Sequence, residues 1–334
     1  MRLNTTYMGF KLKNPLVPSA SPLTMDLDKV KALEDNGASA LVMYSLFEEQ
    51  IKHDRDHMDH FMDLNTNSFA ESLSFFPEPD EFSTGPDEYL EHLRKIKESV
   101  SIPVFASLNG ETESGWTDYA AKLEEAGADG LELNIHFMPV SFEENSASVE
   151  GRYIDIVRSV KDQINIPIAV KIGSRFSALP AFAKSLAHVG ADALVLFNRF
   201  YHPEINLEKL ELETAMRPTV SADIRRSMRW IAILRGNVDV SFAATSGVHS
   251  AEDVLKLVMS GADVTQLATA LMRHGPGLLR KIENDIVAWM DANEYQDLEQ
   301  MKGSMCMQHI PNPQTLVRAN YMRTLLDYRM ETWK

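Results

Sequence analysis

Two short runs of small residues in the last third of the sequence have the composition of a phosphate site. Residues 245–247 read Thr-Ser-Gly and residues 268–270 read Ala-Thr-Ala, and they follow β-favouring segments at 238–242 and 264–267. Small side chains leave backbone N–H groups open to a phosphate, and adjacent parallel strand ends would bring both runs together. The alternative is an ordinary βαβ unit with small turn residues. The candidate phosphate-binding residues are Ser246, Gly247, Ala268 and Thr269.

A lysine at the end of an apolar run is the main candidate for a catalytic charge. Lys171 ends the segment 167–171, in which the preceding residues are all apolar. A buried ammonium group costs free energy unless it meets an anion or an electron-rich ring. We interpret Lys171 as a catalytic and cofactor-binding residue, and the alternative is a structural lysine held in a salt bridge.

Two asparagines, Asn134 and Asn198, also end β-favouring segments. Each side-chain amide offers donors and an acceptor, which suits a planar heterocycle with imide groups, while the alternative is loop capping. Small or polar residues at other predicted strand ends are candidates for the same site. These are Ala20, Ser21, Tyr44, Ser45 and Asn109.

A cluster of histidines raises the question of a metal. His53, His57 and His60 lie among aspartates in the stretch 44–86, where regular alternation lapses. The stretch is acidic and has no cysteine, and spacing alone does not provide convergent ligands, so no metal site is predicted. A long loop on a catalytic face is more often a lid than a linker, and residues 72–77 are apolar enough to fold over a ligand.

The elements that must position these residues repeat along the chain. In 36–41, 126–131, 189–194 and 260–265 a helix stops at a glycine and a strand begins at once. Eight strands that alternate with helices predict an α/β fold, a parallel (β/α)8 TIM barrel, whose chemistry lies at the carboxyl ends of its strands. The alternative is a doubly wound open sheet, but no G-x-G-x-x-G follows the first strand. The predicted strands are 16–20, 39–43, 103–107, 129–134, 167–171, 192–196, 238–242 and 264–267.

The remaining parts of the chain complete this prediction. A small hairpin over 3–13 is expected to close one end of the barrel. Residues 1–294 are assigned to the barrel and 295–334 to a C-terminal helical extension, helical over 314–330. Long catalytic-face loops are expected at 44–86, 139–150 and 197–221. The most clearly bounded helices are predicted at 26–36, 119–127, 179–189, 224–234 and 276–290.

Composition limits the class of protein. The 334 residues are 44% apolar and carry a formal net charge of −15, which argues against nucleic acid or an anionic membrane as the main partner. Cys306 is the only cysteine, so a reduced, cytoplasmic setting is expected. No apolar run has the length of a membrane span, and the first residues do not read as a signal peptide. A cytosolic enzyme is therefore expected ahead of a binding module.

These residues and segments together resemble the class 1 dihydroorotate dehydrogenase family. Members of that family are FMN enzymes with a TIM-barrel fold. The resemblance runs from Leu3 to about Tyr295 and is most specific over 243–271, which ends in Gln-x-x-Thr-Ala-Leu. It implies FMN, with its phosphate at the two small runs and its ring against Ala20, Ser21, Asn134 and Lys171. The matching segments are LNTTYMGFKLKNPLVPSAS, IPVFASLNG, DGLELN, IPIAVKI, LFN, AATSGVHSAEDVLKLVMSGADVTQLATAL and HGPG.

Departures from the family pattern fall on the substrate side. The family's loop reads Asn-x-x-Cys-Pro-Asn, and its cysteine is the base, whereas residues 134–139 here read Asn-Ile-His-Phe-Met-Pro. Phe137 cannot take a proton, and its ring is expected to fill the space of the pyrimidine edge. Tyr44 replaces the family's lysine after the second strand. The family's loop asparagine has no clear counterpart in 69–74.

The missing cysteine leaves the identity of the catalytic base open. Candidates are His136, Tyr44 and a loop serine, Ser72 or Ser74. His136 is the natural choice because the pKa of histidine is ordinarily near neutrality, and the alternative is a histidine packed in the loop.

Three hypotheses follow for function. The first is an FMN-dependent dehydrogenase of CH–CH donors that acts on dihydroorotate or a related cyclic amide, bound by Asn134, Asn198 and Tyr44, as in pyrimidine biosynthesis. The second is a flavin oxidoreductase with an unrelated substrate, fed by an electron-transfer protein. The third is a non-catalytic flavin-binding protein. A homodimer is expected in each case.

Overall fold

A short antiparallel hairpin closes the amino end of a parallel barrel, as predicted. In this computed structural model, which describes residues 2–48, 86–110, 112–199, 203–214 and 217–317, the hairpin consists of β1 (Thr5–Tyr7) and β2 (Phe10–Leu12). The side chains of Tyr7 and Leu12 are buried, and the Tyr7 ring meets Phe105 edge-on at 5.9 Å between centroids. The hairpin therefore seals the small apolar interior of the barrel at that end.

The predicted (β/α)8 barrel is confirmed. Its strands follow the order β3-β12-β11-β8-β7-β6-β5-β4, and their paired neighbours are all parallel. Between β3 and β4 the amide of Ser39 donates to the carbonyl of Leu16 at 3.1 Å, so the sheet nearly closes on itself. The strands are β3 (Leu16–Pro18), β4 (Leu41–Phe47), β5 (Val104–Asn109), β6 (Gly130–Asn134), β7 (Ile168–Ile172), β8 (Ala193–Leu196), β11 (Ser241–Thr245) and β12 (Val264–Leu267).

Helices fill the connections and cover the outside of the barrel. The glycines of the four sequence repeats have φ between +96° and +118°, which confirms the predicted switch from helix to strand. The helices are α1 (Leu27–Asp35), α2 (Pro86–Ser99), α3 (Glu113–Glu125), α4 (Ser146–Lys161), α5 (Leu179–His188), α6 (Ile224–Leu234), α7 (Ala251–Ser260), α8 (Thr269–His274) and α9 (Gly277–Ala292), with 3-10 turns at Pro22–Met25, Ser221–Asp223 and Pro313–Leu316.

Two helices begin earlier than the sequence periodicity indicated. Helix α3 begins near Thr112, whose side chain accepts from the amide of Gly115 at 3.1 Å. Helix α4 begins at Ser146, inside the predicted loop 139–150, because Asn145 and Ser148 form a reciprocal capping box. In both cases a polar cap, rather than the apolar stripe, sets the first residue of the helix.

Two predicted irregular stretches contain regular structure. Strand β4 continues to Phe47, four residues beyond the predicted end at Met43. The connection 197–221 contains an antiparallel hairpin of β9 (Pro203–Asn206) and β10 (Glu211–Thr214). Its strands carry exposed apolar residues and little alternation, which explains why the sequence pattern did not reveal them.

Residues 295–317 pack against the barrel. Leu298, Met301 and Cys306 are buried, and the amides of Gly303 and Met305 donate to the carbonyls of Val258 and Met259 on α7. The predicted helix over 314–330 lies largely outside the described residues, and its described part contains the 3-10 turn Pro313–Leu316.

Candidate functional site

A cavity of about 440 Å³ opens at the carboxyl ends of the barrel strands. Its volume lies within the range of roughly 300–1,000 Å³ that is typical of ligand and cofactor sites. Most of the residues singled out from the sequence meet there. They are Ala20, Ser21, Tyr44, Ser45, Asn134, Lys171, Asn198, Ser246, Gly247, Ala268 and Thr269.

The floor of the cavity is a chain of buried polar side chains. Lys171 Nζ donates to Glu132 Oε1 at 3.1 Å, and Gln266 Nε2 donates to Glu132 Oε2 at 2.7 Å. Ser19 Oγ lies 3.2 Å from Gln266 Oε1. Glu132 is 1% exposed and Lys171 7% exposed, so the ion pair is almost free of water. Lys171 therefore forms the salt bridge that the structural interpretation predicts. It also lines the cavity, as the catalytic interpretation requires.

Glu132 and Gln266 were not among the residues selected from the sequence. The alternation of side chains along a strand could have indicated Glu132, since it lies two residues before Asn134 and points to the same side of β6. Gln266 occupies the barrel-facing position of β12 and is 1% exposed. Their contact across the barrel joins residues separated by 134 positions, which spacing along the chain does not reveal.

The two candidate asparagines touch each other. Asn198 Nδ2 donates to Asn134 Oδ1 at 2.6 Å, across the ends of β8 and β6. This bond leaves the amide NH2 of Asn134 as a donor and the side-chain oxygen of Asn198 as an acceptor for a ligand. The pair therefore offers complementary polar groups at the cavity wall, as a cyclic amide requires.

The two small turns lie at the same rim of the cavity. Ser246 has φ +72°, and its Oγ donates to the carbonyl of Phe197 at 3.2 Å. Gly247 has φ +93°, and a Cβ there would lie 2.8 Å from the amide nitrogen of Ile224 and from the carbonyl of Val220. The glycine is therefore also required by the close approach of the first turn of α6. Ala268 and Thr269 form the start of α8.

Tyr44 is a buried part of the wall. Its ring meets Tyr89 at 4.8 Å between centroids, and the Tyr89 hydroxyl donates to the carbonyl of Tyr44 at 2.9 Å. Burial raises the pKa of Tyr89 far above its usual value, so its phenol stays neutral and serves as a donor. Beside Tyr44, Ser45 Oγ lies 2.8 Å from Ser107 Oγ.

Two of the predicted site residues lie away from the lining of this cavity, and a third lies outside the described residues. Asn109 ends β5 beside Phe47 and is not among the cavity-lining residues. His136 is exposed on the loop after β6 and does not line the cavity. Ser74, like Ser72 and the histidines at 53, 57 and 60, lies outside the described residues.

Phe137 is placed differently from the expectation. The Arg152 guanidinium carbon lies 3.8 Å from the centroid of its ring, which lines a separate cavity of about 380 Å³ together with Tyr153 and Phe176. The ring therefore does not occupy the central cavity. The loop leaves β6 in a direction that a count of residues from Asn134 could not indicate.

A histidine beside the two small turns was not among the residues selected from the sequence. His249 Nε2 lies 3.0 Å from the hydroxyl of Thr219, which lines the cavity. Burial lowers the pKa of His249 below its usual value and Arg273 lowers it further, against the opposing effect of Asp253. The imidazole is thus neutral near pH 7.

The described part of the chain lacks two kinds of feature. No group of three or more His, Cys, Asp or Glu residues could hold a metal ion within 2–48, 86–110, 112–199, 203–214 and 217–317. Within the same residues, no helix has both the length and the apolar character needed to cross a membrane.

Comparisons with known proteins place the chain in a known family. The sequence model of the family described as Dihydroorotate dehydrogenase matches residues 81–290. The Dihydroorotate dehydrogenase B (NAD(+)), catalytic subunit, of Thermoplasma volcanium is 23% identical over 313 residues, covering 90% of this chain and 97% of the relative. The protein of the same name from Methanothermobacter thermautotrophicus is 25% identical over 313 residues, with coverages of 90% and 97%. The NAD-dependent dihydropyrimidine dehydrogenase subunit PreA of Escherichia coli is 21% identical over 318 residues, with coverages of 90% and 76%.

Proposed function

The chain belongs to the dihydroorotate dehydrogenase family, and on that premise we propose that it is an FMN-dependent oxidoreductase that acts on CH–CH donors. The substrate we propose is dihydroorotate, orotate or a related cyclic amide. The observation that carries the proposal is the cavity at the carboxyl ends of the strands, where Lys171, the Asn134–Asn198 pair and both small turns meet. When bound, the flavin supplies hydride transfer.

The lining of the cavity fits FMN. We propose that the phosphate binds the backbone amides of Ser246–Gly247 and Ala268–Thr269, because small turns at two neighbouring strand ends suit an anion. We propose that Ala20, Ser21, Ser45 and Asn109 complete the cofactor site. Of these, Asn109 requires an approach from the rim, since it does not line the cavity.

Lys171 acts as an electrostatic residue in this proposal. Its ammonium group has three donor hydrogens, of which one is used by Glu132. The others are available to a cofactor edge on which negative charge develops during reduction. Lys171 therefore stabilises charge and is not a nucleophile.

The substrate side is the part that departs from the family. Asn134, Asn198 and Tyr44 bind the substrate in our proposal, and they offer an amide donor, an amide acceptor and an aromatic wall. His136 and Ser74 stay the candidate bases. His136 reaches the cavity only if its exposed loop moves, which is compatible with a base that is aligned after the substrate binds.

A second candidate function is a flavin oxidoreductase with an unrelated substrate that receives electrons from a partner protein. Phe137 at the cysteine position and Tyr44 at the lysine position favour it. Two of the similar proteins are a catalytic subunit and the subunit PreA, which supports a protein that works with a partner subunit. The single cysteine of the sequence supports a cytoplasmic setting.

We also propose a homodimer that uses the β9–β10 hairpin. Ile205, Leu207, Leu210 and Leu212 are large apolar residues that are at least 60% exposed there. Apolar side chains in such number are typical of an interaction surface, and two copies of one hairpin can meet about a two-fold axis. Light scattering should give the mass of a dimer, and Leu212→Glu should shift it to the monomer. A monomeric wild-type protein would contradict the proposal.

Flavin content and flavin reduction test the proposed function. The purified protein should show the visible spectrum of bound flavin, with FMN released on denaturation. Anaerobic dihydroorotate should bleach that spectrum if the first candidate is correct, whereas bleaching only by a reduced electron-transfer protein selects the second. Flavin that no donor reduces would indicate a non-catalytic flavin-binding protein.

A further inference from the structure

We propose that a further cavity, lined by arginines and adjoining the cavity of about 440 Å³ at the strand ends, binds a multiply charged oxyanion on the substrate. This inference rests on the proposed function, because it assigns a substrate class to the same reaction. The arginine cavity has a volume of about 560 Å³. Its arginines are Arg175, Arg199, Arg217, Arg225 and Arg226.

The two cavities share a wall. Phe197, Asn198, Arg199, Thr219 and Ser246 line both of them. Asn198 also belongs to the amide pair that we assign to the substrate ring. A ligand whose ring meets Asn198 can therefore extend into the arginine cavity without leaving the site.

The arginine cavity has an excess of positive charge. Glu204 and Asp223 are the carboxylates among its described lining residues. Glu204 Oε2 already accepts from Arg217 at 2.8 Å, and Asp223 Oδ2 accepts from the amide of Val220 at 2.9 Å. In a chain of net charge −15, such a local excess concentrates the field that attracts an anion.

Two of the arginines are placed to bind an oxyanion directly. Arg199 is half-buried and forms no hydrogen bond or ion pair that involves the described residues. Arg226 is exposed in the first turn of α6, its Nη1 donates to Ser174 Oγ at 3.2 Å, and it forms no salt bridge with a carboxylate of the described residues. The guanidinium of Arg199 is partly desolvated and has no acceptor among the described residues, which is costly, and a carboxylate or phosphate would satisfy it with two parallel bonds.

The positive charge of this chain lies elsewhere than the resemblance to the family implies. The cation that the resemblance places after the second strand is missing, while cations accumulate after the fifth and sixth barrel strands. We infer a substrate larger than dihydroorotate, with a phosphate ester or a dicarboxylate beyond the ring. Both carry the same chemistry, namely two or more negative charges on oxygen.

Calorimetric titration of the flavin-loaded protein tests this proposal. The probes are inorganic pyrophosphate, succinate and, as a monoanion, orotate. Pyrophosphate or succinate should bind saturably, and the affinity should fall as salt is raised. Binding of pyrophosphate alone identifies a phosphate ester, and binding of succinate alone identifies a dicarboxylate. If neither binds, or if orotate binds as tightly as both, the proposal is wrong.

Variants then locate the bound anion. Arg199→Gln and Arg226→Gln should each weaken binding about tenfold or more, because each removes a charge-assisted pair. Arg229→Gln is the matched control, since Arg229 lies on the same helix, is exposed and does not line the cavity. Unchanged affinity in both cavity variants, with wild-type melting temperatures, would overturn the proposal.

Failure of this inference is distinguishable from failure of the proposed function. Flavin content and reduction are measured on the same samples before titration. If the protein contains reducible flavin but binds neither pyrophosphate nor succinate, only the proposal for the arginine cavity is wrong. If the protein contains no flavin but still binds pyrophosphate, and only Arg199→Gln and Arg226→Gln weaken that binding, the flavin proposal is wrong and the anion site is supported.

Discussion

Lys171 Nζ lies 3.1 Å from Glu132 Oε1, and this buried ion pair forms the floor of the candidate site. The lysine faces the cavity, whereas the carboxylate lies beneath it, held also by Gln266. A bound cofactor would therefore meet the positive charge of Lys171, which is partly neutralised by the carboxylate of Glu132. Both members of the pair are expected to tune the cofactor, in opposite directions.

The reduction potential of bound flavin should reveal these opposite effects. Lys171→Met removes a positive charge and should lower the potential, and it should slow flavin reduction roughly 10²-fold, as does loss of a donor to a developing anion. Glu132→Gln removes a negative charge and should raise the potential. Dye-coupled potentiometry measures both. Shifts of the same sign, or unchanged rates in Lys171→Met, would contradict the assignment.

The same pair should be visible in stability. Lys171→Met alone leaves Glu132 buried without a counter-ion, and the free energy of unfolding should fall by about 3–5 kcal/mol. Lys171→Met with Glu132→Gln removes both charges and should recover most of that loss. Urea denaturation of the two single variants and the double variant provides the cycle. A double variant as unstable as the sum of the singles would mean that the pair is not coupled.

Gly247 should be required for packing as well as for cofactor binding. In Gly247→Ala the new methyl group would meet the backbone of Val220 and Ile224 at 2.8 Å, which requires the first turn of α6 to move. Gly127→Ala is the matched control, because Gly127 has φ +96° and no atom within 4 Å of an added Cβ. The control should cost about 1–2 kcal/mol, the price of a left-handed backbone. Gly247→Ala should cost more and should lose flavin, as seen by thermal unfolding and absorbance.

Placing a cysteine at position 137, where the resemblance implies one, should have little effect. Because the Phe137 ring lies against Arg152 and lines a separate cavity, Phe137→Cys is expected to change dihydroorotate-dependent flavin reduction by less than about tenfold, well below the 10²–10⁴-fold of a positioned base. Phe137→Ala controls for loss of the ring itself. A large gain in Phe137→Cys but not in Phe137→Ala, measured by stopped flow, would show that the loop brings residue 137 to the substrate.

Stability should depend on pH through His249. Its pKa in the folded protein is lowered by burial, so the unfolded chain binds more protons as the pH falls below about 6.5, the ordinary value for histidine. The protein should therefore lose stability on acidification through that window. His249→Gln should lose less between pH 7.5 and 5.5. At pH 8 the difference in unfolding free energy between the wild-type protein and His249→Gln reflects only the lost hydrogen bond to Thr219. Equal acid sensitivity in both proteins would exclude His249 as a contributor.

Local rules determined much of this protein from the sequence by itself. The glycine that ends four of the helices, the immediate start of the next strand and the alternation of the eight units depend on neighbours in the chain, and the barrel followed from them. Since catalytic residues of a barrel lie at the strand ends, the same reading placed Lys171, Asn134, Asn198 and both small turns around one cavity.

Only the tertiary structure decided which of these residues touch. Glu132 meets Lys171 and Gln266 because parity and the closing of the sheet point three strands to one interior. The path of the loop after β6 turns Phe137 and His136 away from the cavity. The arginine cavity joins residues from 174 to 246 that share no sequence pattern. A short motif predicts the local backbone conformation of its own residues. A contact between distant residues depends on how the strands and loops come together, and spacing along the chain does not determine that arrangement.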